Sequence, residues 1–198
     1  MRGGHTPHRR SLGRASALLL VLAATGCATR PSPADSSLPA GSALRPLIIS
    51  GFGDWRGSRA SQHYGIDIRV RPGTPVLAAA DGTVIRIGAE RSSGKLVVVA
   101  HADDLATVYF HLSAIAVGER QTVRRGETLG RSGMTGNATT PHLHFGVCRR
   151  PAGRCGNRIG AGWDNPRAYW VEGDPCFRAG RPYPGTRLTF PVPCPGSA

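Results

Sequence analysis

From residue 46 onward the chain is cut into apolar runs of strand length, each closed by glycine, proline or a polar turn. "RPLIIS", "GIDIRV", "TPVLAAA", "GTVIRIG", "KLVVVAH", "LATVYFHL", "TLGRSG" and "HLHFGVC" succeed one another, with turn signals about every eight to twelve residues. No stretch here carries the 3.6-residue period of an amphipathic helix. An all-β domain built on antiparallel sheet is therefore expected, with few or no helices. "DG" at 81–82 and "SSG" at 92–94 read as hairpin turns. "GWDNPRAYW" allows one helical turn, started by Asp164 or Asn165 with Pro166 at its first position.

The ends bound the domain. Arg2, Arg9, Arg10 and Arg14 precede an apolar run from Ala15 to Ala24. That run is shorter than the ~20 residues a bilayer span needs, so residues 1–26 read as a secretory signal. "LAATGC" resembles a bacterial lipobox, which makes Cys27 the expected lipidated residue and membrane attachment through it the expected anchor. Ala28 stands where an aspartate would favour inner-membrane retention, so an exported cell-envelope lipoprotein, on the outer membrane where a cell has one, is expected. Residues 27–45, rich in Pro, Ser and Ala, read as a tether. The domain proper is expected at 46–170, with an irregular, cysteine-bearing tail at 171–198. Cys148, Cys155, Cys176 and Cys194 make an even count in an exported chain. Two disulfides are expected, paired locally as Cys148–Cys155 and Cys176–Cys194.

The formal charge is +13, almost all of it arginine, with Lys95 the one lysine. Such a surface favours an anionic partner. No basic helix, zinc finger or aromatic nucleic-acid motif accompanies it, so nucleic acid is not expected and anionic wall polymer or headgroups are.

Five histidines follow the signal: His63, His101, His111, His142 and His144. His63 opens "HYGID", with Asp67 four residues on; His111 ends the run "TVYFHLS"; His142 and His144 share one face of a strand in "PHLHF". Each motif alone is weak, because a single histidine is more often a hydrogen-bonded core residue than a ligand. Together they supply imidazole and carboxylate from three segments. Catalytic zinc takes three such ligands and leaves a position for water, and His63, Asp67 and one of the strand pair meet that count. The four glutamates of the domain and tail lie in no motif with a histidine. The general base is therefore sought among the remaining histidines.

In order and separation, "HYGID", "TVYFHLS" and "PHLHF" resemble the H-x-G-x-D, strand-end H-L and H-x-H motifs of the lysostaphin-type, LytM-like zinc endopeptidases of bacterial cell walls. The resemblance runs from Ile48 to Tyr169 and includes "ISGFGDWR", "GTPVLAAADGTVIRIG" and "VRRGETLGRSGMTGNA". It implies a LytM-like β-fold, related to barrel-sandwich hybrids, with a groove for extended peptide. It implies Zn²⁺, one per chain, on His63, Asp67 and His144, with His142 as general base and His111 as a second catalytic residue. The implied substrate is a peptide cross-link of peptidoglycan. His101 matches a non-ligand position and is expected to be structural. Thr140 replaces a glycine usual before "PHLHF", and the "CRRPAGRC" hairpin and tail lie outside the pattern.

Three other readings compete. A catalytically silent relative would bind peptidoglycan and activate a partner wall hydrolase, but every site residue is present. A cupin would want a glutamate shortly after the H-x-H, where Cys148, Arg149 and Arg150 stand. A lipoyl or biotinyl carrier would need a lysine at a hairpin tip between Met or Ala neighbours, which the chain lacks.

Overall fold

A computed structural model describes residues 46–56, 62–149 and 162–194. The expected signal, the lipidated Cys27, the tether and Cys155, with its expected bond to Cys148, lie outside the described residues. Ten strands join into one sheet: β1 (Ile48–Ser50), β2 (Ile66–Arg69), β3 (Pro75–Leu77), β4 (Gly82–Glu90), β5 (Gly94–Ala100), β6 (Leu105–Ile115), β7 (Thr122–Val123), β8 (Thr128–Ser132), β9 (His142–Arg149) and β10 (Trp163–Asp164). They run side by side in the order β1-β2-β9-β6-β5-β4-β7, with β10 added to β9 and β8 bridging β6 to β3. Every ladder between these strands is antiparallel. Among the described residues the one helical element is a 3₁₀ turn at Pro166–Tyr169, capped by Asn165, whose side chain accepts from the Arg167 amide. Among the described residues no helix is long and apolar enough to cross a membrane.

Strand alternation assigns the two faces. On β9, Leu143, Phe145 and Val147 enter the main core with Ile66, Ile68, Val97, Val99 and Tyr109. The opposite face carries a smaller cluster of Leu96, Val98, Ala106, Val108, Cys148 and Trp163. His142 and His144 project from that second face, beside Asp67 and Arg69 of β2 through the pairs Asp67↔His144 and Arg69↔His142. A strand flanked by neighbours on both edges and covered on both faces has little solvent, and all of β9 except Arg149 is buried.

Two readings change in the structure. "SSG" does turn β4 into β5, but Asp81–Gly82 closes no hairpin, because β3 pairs with β8 instead of β4. Asp81 serves as a bracket: its main-chain carbonyl accepts from His101 and its carboxylate from the Arg125 amide. The tail is irregular as expected, and Cys176 and Cys194 are bonded with Cα atoms 5.8 Å apart. Yet it is no appendage. Leu188 and Val192 are buried in the same core as Ile66, and Trp170 stacks on Phe145 at 5.7 Å.

His101 takes the structural place expected for it. Its Nδ1 donates to the Asp81 carbonyl at 2.7 Å, and its Nε2 meets Thr107 Oγ1 at 2.8 Å. Thr107 in turn meets the hydroxyl of Tyr109, which accepts from the Ala79 amide. The chain of bonds satisfies a buried tyrosine, whose pKa burial pushes up to about 12.

Candidate metal centre

Three segments distant in sequence meet on the second face of the sheet. His63 lies just before β2, Asp67 on β2 and His144 on β9. His63 Nε2, Asp67 Oδ1 and His144 Nδ1 form a triangle with edges of 2.9, 3.1 and 3.1 Å. All three residues are buried. Gly65 permits this closeness, since a Cβ there would lie 2.7 Å from the His144 ring and 2.6 Å from the Phe145 carbonyl.

Main-chain carbonyls set the tautomers around the triangle. His63 Nδ1 faces the Gly51 carbonyl at 2.7 Å, His142 Nδ1 the Thr140 carbonyl at 2.7 Å, and His111 Nδ1 the Thr135 carbonyl at 2.8 Å. A carbonyl can only accept, so each Nδ1 carries the proton, and each neutral ring keeps a bare Nε2. Thr140 thus acts through its backbone. Its side chain is exposed, and its φ does not lie in the left-handed region that favours glycine.

His111 reaches the site through a fault in the sheet. Strict alternation would put His111 on the same face as Tyr109, in the main core. On β6 the residues Tyr109 and Leu112 pair with Val97 and Lys95, three steps against two. The extra residue is a bulge, and His111 sits in it with φ +63°. The bulge re-aims the ring, which lies 4.8 Å from the His142 ring and 6.2 Å from that of His144.

Electrostatics favour neutral His144 and His111 rings near one charged carboxylate. Burial pushes the His144 imidazole down to about 4 and also lowers His111, against the pull of the Thr135 carbonyl. Burial would raise the Asp67 carboxyl, but the adjoining His144 and His63 rings outweigh it and hold it well below the usual carboxylate range. With His63's proton committed to Gly51, the triangle has three acceptor atoms and at most the one proton of His144. His144 Nε2 is buried with no hydrogen-bond partner, so Nδ1 is the ring's engaged atom.

This donor set fits a divalent metal. Bonds of about 2.0–2.1 Å at a tetrahedral angle place two donors about 3.3–3.4 Å apart, close to the triangle's edges. Two imidazoles and one carboxylate are the mixed ligands that suit zinc. The second Asp67 oxygen is held by Arg56, a residue outside every histidine motif. It stands in a loop without periodicity, so only its presence in "ISGFGDWR" could have marked it. A groove of about 250 Å³ opens over the centre, lined by His111, His142, Arg56, Tyr64, Asn137 and Thr139 among others. A larger groove of about 800 Å³ opens between Tyr169 and Tyr183, away from the histidines.

A buried two-histidine, one-carboxylate centre with two further imidazoles, at the floor of a groove on an antiparallel sheet, is the kind of donor set that metal-dependent hydrolases use. The description Peptidase family M23 matches residues 61–155, and the chain belongs to that family. It is 31% identical to the solved structure of LytU, covering 68% of this chain and 90% of that one, with a TM-score of 0.57. The catalytic domain of the antimicrobial peptidase lysostaphin from Staphylococcus simulans matches at 28% identity, over 63% and 91% of the two chains, also with a TM-score of 0.57. Peptidoglycan DD-endopeptidase ShyA of Vibrio cholerae is 41% identical over 87 residues, 44% of this chain and 20% of that protein. The matched stretch spans about a fifth of the length of the curated relatives.

Proposed function

We propose that the chain is a zinc-dependent endopeptidase that hydrolyses peptide cross-links of peptidoglycan. The observation that carries this reading is the convergence of His63 Nε2, Asp67 Oδ1 and His144 Nδ1 within 3.1 Å of one another, with two more imidazoles beside them. These three residues would hold the metal. Bound there, zinc supplies a Lewis acid for the scissile carbonyl and brings the pKa of water to about 7.

The chain's own groups do the rest. His142, its Nδ1 proton fixed by Thr140, presents a bare Nε2 3.6 Å from Asp67 Oδ1. That atom takes the proton from the attacking water and returns it to the leaving nitrogen. His111 is kept neutral by burial, so its Nε2 accepts a hydrogen bond and orients the water instead of acting as a cation. Arg56 holds the outer oxygen of Asp67, fixing the carboxylate that faces the rings. Export, a lipid on Cys27 and the tether that follows would keep this domain beside the envelope layer that holds its substrate.

The test is digestion of purified sacculi followed by mass spectrometry of muropeptides, with and without a chelator. Chelator-sensitive loss of cross-linked dimers is expected, and His63→Ala and Asp67→Ala are expected to abolish it. A pure protein that leaves cross-links intact but stimulates a wall amidase would replace this reading with that of a silent activator.

A further inference from the structure

The tail lies beyond the residues that match Peptidase family M23, and it builds a basic groove against the body of the sheet. This groove, of about 680 Å³, is lined by Arg124 and Arg125 from the loop between β7 and β8 and by Arg178 and Arg181 from the tail, around Tyr183. It is remote from the metal centre. Ser92 and Ser93 line the metal groove, Ala102 and Asp103 the basic one, and the seven residues of β5, about 23 Å of strand, run between the two pairs.

Four guanidiniums meet two carboxylates in this groove, and both carboxylates are engaged by neutral donors. An Asp81 oxygen accepts from the Arg125 amide, and an Asp103 oxygen from the Thr186 hydroxyl. Arg178 lies 3.6 Å from Asp174, but among the described residues Arg124, Arg125 and Arg181 form no ion pair. Arg125 spends one N–H on the Ala79 carbonyl and Arg181 one on the Asp174 carbonyl, which leaves four donors on each. Both guanidiniums lie over Tyr183, their central carbons 4.7 and 5.4 Å from its ring centroid. Two cations gathered on one ring repel each other until an anion joins them. The platform is built in advance. The Tyr183 hydroxyl accepts from the Arg178 amide at 2.6 Å and donates to the Cys176 carbonyl at 3.2 Å, and Cys176 is bonded to Cys194.

The donor set narrows the ligand. A carboxylate brings two oxygens and one charge, enough for a single guanidinium fork, whereas a phosphate group offers its oxygens to several forks at once. The volume is too large for a bare phosphate and falls among those of organic-ligand pockets, about 300–1,000 Å³. Phe177, stacked with Tyr183 at 6.2 Å, adds an apolar wall. We propose that this groove is a binding site for a phosphate ester, its phosphoryl oxygens on Arg124, Arg125 and Arg181 and its organic part against Tyr183 and Phe177. The site stands independently of the endopeptidase reading.

Calorimetric titration of the zinc-loaded full chain tests this, with glycerol 3-phosphate as probe and glycerate as the matching carboxylate. Saturable binding of the phosphate is expected, at least about tenfold tighter than that of glycerate. It is expected to survive a chelator; binding that vanishes with the metal belongs to the metal centre and refutes the proposal. Arg124→Gln combined with Arg181→Gln is expected to weaken it at least about tenfold. Arg71→Gln combined with Arg91→Gln removes the same charge outside the groove and is expected to change it less than about threefold. Equal weakening by the two pairs would reduce the effect to net charge and overturn the proposal, as would glycerate binding equally well or no saturable binding at all. Arg124→Gln alone guards against a loosened tail, because the Arg124 side chain has no partner among the described residues. A loss of at least about threefold is expected there, and unchanged binding counts against the site. Vesicles of phosphatidylcholine, with and without phosphatidylglycerol, separate the sources of the ester when offered to the chain carrying Cys27→Ser, which has no lipid of its own. Binding that needs phosphatidylglycerol and is lost in the Arg124, Arg181 pair assigns a membrane headgroup; glycerol 3-phosphate binding without vesicle binding assigns a soluble ester.

Discussion

Gly65 offers the sharpest test of how the site is built. Replacing it by alanine adds one methyl group, which would stand 2.6 Å from the Phe145 carbonyl oxygen and 2.7 Å from Cε1 and Nε2 of His144. Ordinary contact begins near 3.4 Å, so a displacement of about 0.7–0.8 Å is required. The Phe145 carbonyl belongs to the β2–β9 ladder, where Ile66 faces Phe145. The His144 ring is stacked on Phe110 at 5.0 Å, nearly parallel, which limits its retreat. Metal–ligand bonds tolerate errors of about 0.2 Å, so such a shift takes Nδ1 out of ligating range. Outer-shell changes alone cost about 10–100-fold in metal affinity, and displacing a ligand should cost at least the upper figure, about 2.7 kcal/mol. Overpacking adds about 1–3 kcal/mol to the stability loss. Competition with a zinc chelator measures the first quantity and urea unfolding of the metal-free protein the second. Gly65→Ala protein that binds zinc within threefold of wild type would show that close approach to His144 is not what residue 65 provides.

Other expectations follow from the same geometry. His144 falls from an ordinary 6.5 to about 4 on folding, so the metal-free protein gains stability above pH 6.5 and loses it as pH falls toward 4. The loss is about 3 kcal/mol, read from urea midpoints between pH 7.5 and 4.5; a flat profile would contradict the buried neutral ring. Thr135→Val removes the hydroxyl that donates to Leu112 and accepts from Lys95. It should lower stability by about 1–3 kcal/mol and slow hydrolysis about tenfold or more through His111, with zinc content unchanged; lost zinc would place Thr135's effect elsewhere. The Cys176→Ala, Cys194→Ala pair opens a loop of sequence separation 18 and should cost about 2–4 kcal/mol in urea unfolding. A change under about 0.5 kcal/mol would mean that the tail is held by Leu188 and Val192 without its bond.

Strand alternation made much of this site legible. The period of two puts His142 and His144 on one face of β9, and "HYGID" supplies the neighbouring strand with its carboxylate. His111 resists the same logic, because alternation sends it to the core. A bulge with a non-glycine residue at positive φ leaves no turn signature in "TVYFHLS", and only the joint likeness to known motifs placed it in the site. Asp81–Gly82 misled for a related reason. Gly82 is there for contact, since a Cβ would stand 2.3 Å from the Ala100 carbonyl, and a hairpin turn has no part in it. Arg56 was invisible because an arginine in an irregular loop looks like any solvated charge until its partner is known. The tail's place in the core was hidden because "LTFPV" joins no named strand ladder and meets β3 and its end only through single main-chain bonds at Leu77 and Ala79.

The bonds from His63 and His142 to the carbonyls of Gly51 and Thr140 separate the chemistry of the centre from the letters of the sequence at two positions. Any residue able to adopt the local backbone supplies the same oxygen, so a scan of side chains at 51 and 140 would score as nearly silent across atoms that set the protonation of two rings. Exchanging an amide for an ester in the main chain would expose them, because an ester carbonyl is a weaker acceptor. Thr140 in place of glycine is, in this sense, a spelling change with no change of meaning.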